Sequence, residues 1–303
     1  MKQFFEEEDF LILTDLFFLL FSIYALLPRY CILIYMKKVR KLWCRQNQKY
    51  QDYNCPCISR IVNYIHHIVS YLRMTENPKK GKLIVFEGGD GSGKTTQTQL
   101  LLKYCEEHNI PHAYLDFPNY SSFFGKLVAK FLRGELGNLN QISPYLASLP
   151  FSLDRASASK TLEKYLDEGR IVIVNRYVSS NMAHQGSKFE NEGDRNEFLK
   201  WVDELEFEVN KIPREDLVLY LHVPWQVAIE LSKQKSNRHY LNGKKDIQEA
   251  DLNHRQKTEN LYKSLTSTNP HWETISCVEN GTILPKEIIH KKITDVLKKR
   301  GIL

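Results

Sequence analysis

Gly88-Gly89-Asp90-Gly91-Ser92-Gly93-Lys94-Thr95 follows the apolar run Leu83-Ile84-Val85-Phe86 and precedes a helical apolar stripe through Leu100-Leu101-Leu102. The stretch matches G-x-x-x-x-G-K-[ST] in the strand-to-helix context that the pattern's mechanism requires. Glycines permit φ values that a Cβ resists, so consecutive backbone N–H groups can turn inward on phosphate oxygens, and the following helix adds its positive end. Lys94 would bring a point charge to the transferring phosphate, and the Thr95 hydroxyl would ligand Mg²⁺. Gly88 through Thr96 is therefore the candidate ATP-binding segment, with ATP as co-substrate and Mg²⁺ as cofactor. A GTPase would add Asn-Lys-x-Asp, and Asn210-Lys211-Ile212-Pro213 lacks the aspartate.

Outward from this loop, Ala113-Tyr114-Leu115, Ile171 to Val174 and Leu217 to Val223 are short apolar runs suited to buried parallel strands. Helical patterns occupy Phe123 to Leu132, Leu146 to Leu166, Glu197 to Val209 and Lys286 to Lys298. The alternation predicts α/β layering, and the resemblance of the glycine-rich loop to those of P-loop NTPases implies a three-layer sandwich with a parallel five-stranded sheet flanked by helices, plus a lid.

The chain has 303 residues with 42% apolar and 26% charged content, ordinary for a globular protein, but the apolar residues are unevenly spread. Phe10 to Leu27 is almost wholly apolar apart from Asp15, and Tyr30 to Met36 is a second apolar run after Pro28-Arg29. A bilayer needs roughly 20 apolar residues in a helix. Residues 10–36 could therefore contact or span a membrane as one hydrophobic helix. Glu6, Glu7, Glu8 and Asp9 precede the run, unlike the basic start of a secretory signal. Lys37, Lys38, Arg40, Lys41, Arg45 and Lys49 follow it and would keep the rest of the chain cytoplasmic. Met74 stands just before the first clear strand, so a start there is the competing reading of this extension. The expected organisation is an extension over 1–74, a linker over 75–81 and a catalytic domain over 82–303. Of the six cysteines, Cys31, Cys44, Cys55 and Cys57 lie in the extension without a convincing metal-ligand pattern. A net charge of +6 is modest and implies no nucleic-acid partner.

The acceptor is read from segments further on. Asp90 is a carboxylate inside an anion cradle, which would repel phosphate unless a hydroxyl or cation stood between, so it points to a second ligand. Asp116-Phe117-Pro118-Asn119-Tyr120 follows the second strand, and Asn175-Arg176-Tyr177 ends the third, at the carboxyl edge where α/β proteins bind ligands. In Phe151-Ser152-Leu153-Asp154-Arg155, Phe151 and Arg155 are four apart and share a helix face. Ser179 to Gly186 offers Asn181, His184 and Gln185.

Together, in this order, these segments resemble the thymidylate kinases over residues 82 to about 300. The resemblance implies transfer of the ATP terminal phosphoryl group to dTMP, giving dTDP, by an enzyme that forms a homodimer. It implies that Asp90 contacts the deoxyribose 3′-hydroxyl or helps order the metal, that Phe117 and Tyr120 line the dTMP phosphate and sugar, and that Phe151 stacks on thymine. Arg155 would donate to an exocyclic oxygen of the base, Asn181 and Gln185 would bond the base, and Arg176 would bridge the two phosphates. Three residues depart from the family pattern. Asn119 replaces an arginine, Asn175 replaces an aspartate that supports Mg²⁺, and His184 replaces a tyrosine that crowds the sugar 2′ position. Since Gly91 leaves the loop without an arginine, the family's alternative is a lid arginine, expected here within 233–248 as Arg238, with Lys233 and Lys235 as weaker candidates. Glu249 would approach the acceptor or its metal. Lys94, Arg176 and Arg238 are thus the expected catalytic residues. A kinase for another deoxynucleotide, and a catalytically impaired, membrane-tethered nucleotide-binding protein, are the other readings.

Overall fold

The computed structural model describes residues 80–139, 141–233, 241 and 246–303. The extension with residues 10–36, and the lid positions Lys235 and Arg238, lie outside the described residues.

Five strands, β1 (Lys82–Glu87), β2 (His112–Asp116), β3 (Ile171–Asn175), β4 (Leu217–His222) and β5 (Trp272–Ser276), run parallel in the order β2-β3-β1-β4-β5. The three inner strands read as unbroken apolar runs because helices cover both of their faces, and every residue of β3 is buried. β5, Trp272-Glu273-Thr274-Ile275-Ser276, escapes an apolar-run reading because it lies at the edge and buries only Trp272 and Ile275. A small antiparallel hairpin of β6 (Val278–Glu279) and β7 (Thr282–Ile283) follows it.

Helices α1 (Lys94–Glu107), α2 (Phe123–Leu132), α3 (Pro144–Ser157), α4 (Ser159–Asp167), α5 (Val178–Gly186) and α6 (Glu192–Asp203) occupy the first two-thirds of the domain. A π-helical turn over Glu204–Val209 continues α6, and α7 (Trp225–Lys233), α8 (Ile247–Ala250), α9 (Leu252–Thr268) and α10 (Lys286–Lys299) follow. The expected helix from Leu146 to Leu166 is therefore two helices that meet at Ala158, and the expected helix from Glu197 to Val209 changes to π geometry at Glu204.

Alternation along the strands builds the three layers. Leu83, Val85, Val172, Val174, Val218 and Tyr220 face one way, onto Ala183 of α5, Phe198 and Val202 of α6, and Leu261 and Tyr262 of α9. Ile84, Phe86, Ile173, Leu219 and Leu221 face the other way, onto Leu101 and Cys105 of α1 and Ile289, Ile293 and Leu297 of α10. The expected three-layer sandwich is thereby borne out. Among the described residues no helix is long and apolar enough to cross a membrane.

One polar group ties the first layer to the sheet. The Glu87 side chain at the end of β1 is fully buried. It accepts hydrogen bonds from the Tyr177 backbone N–H at 2.9 Å, Ser179 Oγ at 2.9 Å, Ser180 Oγ at 2.8 Å and Tyr262 Oη at 2.7 Å. Burial pushes the Tyr262 hydroxyl well above its ordinary pKa, and the Glu87 carboxylate adds to the shift, so this hydroxyl stays protonated and donates. The start of α5 and the middle of α9 are thus both fixed to the strand that carries the phosphate loop. Glu87→Ala strands several buried donors at ~1–3 kcal/mol each. Thermal denaturation of that variant is expected to show a loss of at least about 3 kcal/mol; an unchanged melting temperature would contradict this account of the layer.

Candidate active site

The loop between β1 and α1 has the left-handed backbone its glycines imply, with φ of 93° at Gly91 and 87° at Gly93. Gly91 has a second reason to lack a side chain: a Cβ there would lie 2.4 Å from the Ala228 carbonyl oxygen of α7. No cationic side chain fits at this loop position. Lys94 Nζ is folded onto the loop and donates to the carbonyls of Gly88 at 2.9 Å and Gly89 at 3.0 Å, while Ser92 Oγ is buried without a partner. Thr95 and Thr96 are exposed at the start of α1.

Beside the loop lies an open cleft. Asp90 and Arg176 line its loop end, and Phe117 and Tyr120 come from the segment after β2. Phe151 and Arg155 of α3 and Asn181 and Gln185 of α5 supply the rest of the expected acceptor set. The one cleft therefore gathers all eight substrate-site residues expected from the sequence, drawn from four separate stretches of chain.

Each is held by specific partners. Arg176 sits at the β3–α5 junction with φ of 64°, in the left-handed region unusual for a non-glycine residue, and its Nη2 donates to Asp90 at 2.6 Å. Its Nη1 lies 3.4 Å from Ser180 Oγ and 3.3 Å from His184 Nε2. Burial, the Arg176 charge and His254 all hold the His184 pKa well below its usual value. A neutral imidazole accepting at Nε2 carries its proton on Nδ1, and Nδ1 is buried without a partner. His184 lines both this cleft and the adjoining one.

Arg155, 2% exposed, forms a two-contact ion pair with the fully buried Glu206. Arg155 Nη1 also donates to the Tyr177 carbonyl at 3.3 Å. A guanidinium has five N–H groups, so this fork fixes the plane of Arg155 and leaves N–H groups for a ligand in the cleft. Phe151 packs edge-on against Phe131, ring centroids 5.9 Å apart. Asn181 Nδ2 donates to the Ser148 carbonyl at 3.1 Å, whereas the Oε1 of Gln185, 1% exposed, has no partner.

The remaining expected positions are placed differently. Asn119 does not line the cleft: its Oδ1 accepts from Ser121 Oγ at 2.6 Å in a local turn, and its backbone N–H donates to Asp154. Asn175 Nδ2 donates to Asp116 Oδ1 at 2.9 Å, and Asn175 Oδ1 is buried without a partner. Glu249 lines an adjoining cleft beneath α7 with Arg255, whose Nη2 lies 3.4 Å from its carboxylate.

Gln248, which lines both clefts, and Glu87 and Glu206, which hold the cleft residues from behind, are not legible in the sequence. Glu206 stands in Glu204-Leu205-Glu206-Phe207-Glu208, a stretch that reads as a solvated acidic face. The π turn brings this one carboxylate inward.

The comparisons with known proteins agree with this geometry. The family model described as Thymidylate kinase matches residues 86–293. The chain is 34% identical to the thymidylate kinase of Plasmodium falciparum over 151 residues, spanning 50% of this chain and 66% of that protein. With the thymidylate kinase of Mycobacterium tuberculosis it shares 32% identity over 186 residues, 61% of this chain and 86% of that one. Among solved structures, a thymidylate kinase from Candida albicans matches the fold with a TM-score of 0.55 at 23% identity, covering 74% of this chain and 93% of that one. A family match from the phosphate loop into the last helix, on the expected parallel five-stranded sheet and with a cleft holding the full acceptor set, has one meaning: the chain belongs to the thymidylate kinase family.

Proposed function

We propose that the chain is a Mg²⁺-dependent ATP:dTMP phosphotransferase. The observation that carries this reading is the single cleft with Phe151 and the Glu206-locked Arg155 among its walls, and Arg176 with Asp90 beside the phosphate loop. A planar base needs a ring to cover its face and donors to meet its edge, and Phe151, Arg155 and Gln185 are suited to both. The family relation favours dTMP over another deoxynucleotide and favours a working enzyme over an impaired tethered binder.

In the reaction, an oxygen of the dTMP phosphate attacks the γ-phosphorus, the bond to the β–γ bridging oxygen breaks, and ADP leaves with that electron pair. The attacking oxygen is already ionised at neutral pH, so no general base is needed and catalysis is alignment plus charge neutralisation. Lys94, released from the Gly88 and Gly89 carbonyls, meets the transferring phosphate. Arg176, aimed by its left-handed backbone and by Asp90, lies between donor and acceptor. Arg238 supplies the cation that Gly91 has no room for. Thr95 Oγ1 and the unpartnered Asn175 Oδ1 are the protein oxygens that fit Mg²⁺ or its waters. The bound ion neutralises charge on the phosphates.

In a coupled assay, purified protein is expected to consume ATP only with dTMP present and to prefer dTMP over dUMP, dCMP and dGMP. Lys94→Ala and Arg176→Ala should each lower kcat by about 10²-fold or more. Phe151→Ala should raise the KM for dTMP about tenfold, since stacking on a base contributes ~1–3 kcal/mol. Normal turnover in Lys94→Ala would refute this mechanism.

Homodimer formation through helices beside the sheet belongs to the same reading, supported by Phe123 of α2 at 81% exposure and Leu146 of α3 at 63%. Sedimentation at micromolar concentration should give twice the chain mass, and a monomer there removes the proposal. The division into an extension over 1–74, a linker over 75–81 and a kinase domain over 82–303 is supported by Asn77–Leu303 forming a compact unit. A cytoplasmic kinase domain tethered through residues 10–36 follows from the composition of the extension. The full chain should then co-sediment with vesicles while a chain starting at Met74 stays in the supernatant; equal partitioning of the two would count against the tether.

A further inference from the structure

β2 and β3 pair in register so that Asp116 stands directly beside Asn175 at the carboxyl ends of the strands. On the other side of β3, Asn175 is paired with Phe86, two residues before the phosphate loop begins. The Asn175 amide donates to Asp116 Oδ1 at 2.9 Å, which turns its own Oδ1 away from Asp116. That oxygen belongs to a residue 6% exposed and has no hydrogen-bond partner. Asp116 itself is exposed, so a solvated ion can reach it. Desolvation raises the pKa of its carboxyl, and the Arg176 and Lys94 charges act against that shift, so the carboxyl is within electrostatic reach of both cations.

Two carboxylates at directly paired positions repel each other, and one of them would be driven to its neutral form. With aspartate at 116, an aspartate at 175 would therefore add little charge. An asparagine at 175 instead gives Asp116 a donor and keeps a neutral oxygen beside it. The absence of charge at 175 and its presence at 116 are thus one arrangement.

We propose that Asp116 is the metal-supporting carboxylate of this enzyme, placed on β2 and oriented by Asn175, so that the charge serving the nucleotide-bound divalent cation has moved one strand outward. The proposal rests on the phosphotransferase reading. Among the described residues no group of three histidine, cysteine, aspartate or glutamate side chains could hold a metal ion. The ion here is one whose shell is completed by phosphate oxygens and water, as Mg²⁺ prefers, and Asp116 acts on that shell together with Asn175 Oδ1.

The test uses Mn²⁺ as a paramagnetic stand-in, its binding read by electron paramagnetic resonance on the full chain saturated with β,γ-methylene ATP. Affinity for the analogue without metal and the melting temperature are measured alongside. Asp116→Asn, which keeps the shape and removes the charge, is expected to weaken Mn²⁺ binding about tenfold or more, the usual effect of losing an outer-shell carboxylate. The double variant Asp116→Asn/Asn175→Asp, which moves the charge back to β3, should return to within about threefold of the parent. Unchanged Mn²⁺ affinity in Asp116→Asn, or a double variant as weak as the single one, overturns the proposal while metal-free analogue binding leaves the kinase reading standing. A parent chain that does not bind the analogue overturns both. Should Asp116→Asn fail to fold, Asp116→Ser removes the same charge and is read against the same two outcomes.

Discussion

A carboxylate buried without water must be met by donors on every side, and in this domain the carboxylate is that of Glu87. Its four donors come from the backbone after β3, two serines of α5 and a tyrosine of α9. The phosphate loop begins at the next residue. The position of Arg176, one residue before Tyr177, and the position of the α5 residues that line the cleft both depend on this node. A shift of the carboxylate would move the loop, the arginine and the acceptor wall together.

The cations of the site are held by the protein's own groups. Arg155 is held in plane by Glu206, Arg176 rests on Asp90, and Lys94 rests on the loop carbonyls. Such pairing stops a buried cation from being left uncompensated, which would be strongly destabilising. It also lowers the ordering cost of binding, because the guanidinium planes already face the cleft. Arg155 keeps its lock whether or not a base is present, whereas Arg176 and Lys94 hold contacts that a phosphate can replace.

The lack of a cation at position 91 is a packing consequence. The α7 backbone approaches Gly91 so closely that even a methyl group would collide with the Ala228 carbonyl. That approach joins the loop to the helix leading into the expected lid segment. A lid arginine is the arrangement consistent with this contact. The nearby substitution at Asn175 has the same character, since it becomes intelligible only beside Asp116 on the neighbouring strand.

The phosphate loop, the α/β layering and the acceptor motifs were legible in the chain itself, because each depends on local chemistry: glycine φ freedom, apolar runs under helices on both faces, and an aromatic and an arginine four apart. β5 was not, since an edge strand that buries one residue on each face, Trp272 and Ile275, shows neither an apolar run nor an alternation. The partners were not legible either. Glu206 looks solvated until a π turn points it at Arg155, and Glu87 looks like an ordinary strand end until α5 and α9 close over it. Sequence by itself determined which groups are the candidates for phosphate and base. Only the tertiary structure decided which carboxylate holds each arginine and why Gly91 and Asn175 stand where they do, because those choices depend on contacts between residues far apart in the chain, where burial makes an unpaired charge or a misplaced methyl group too costly to keep.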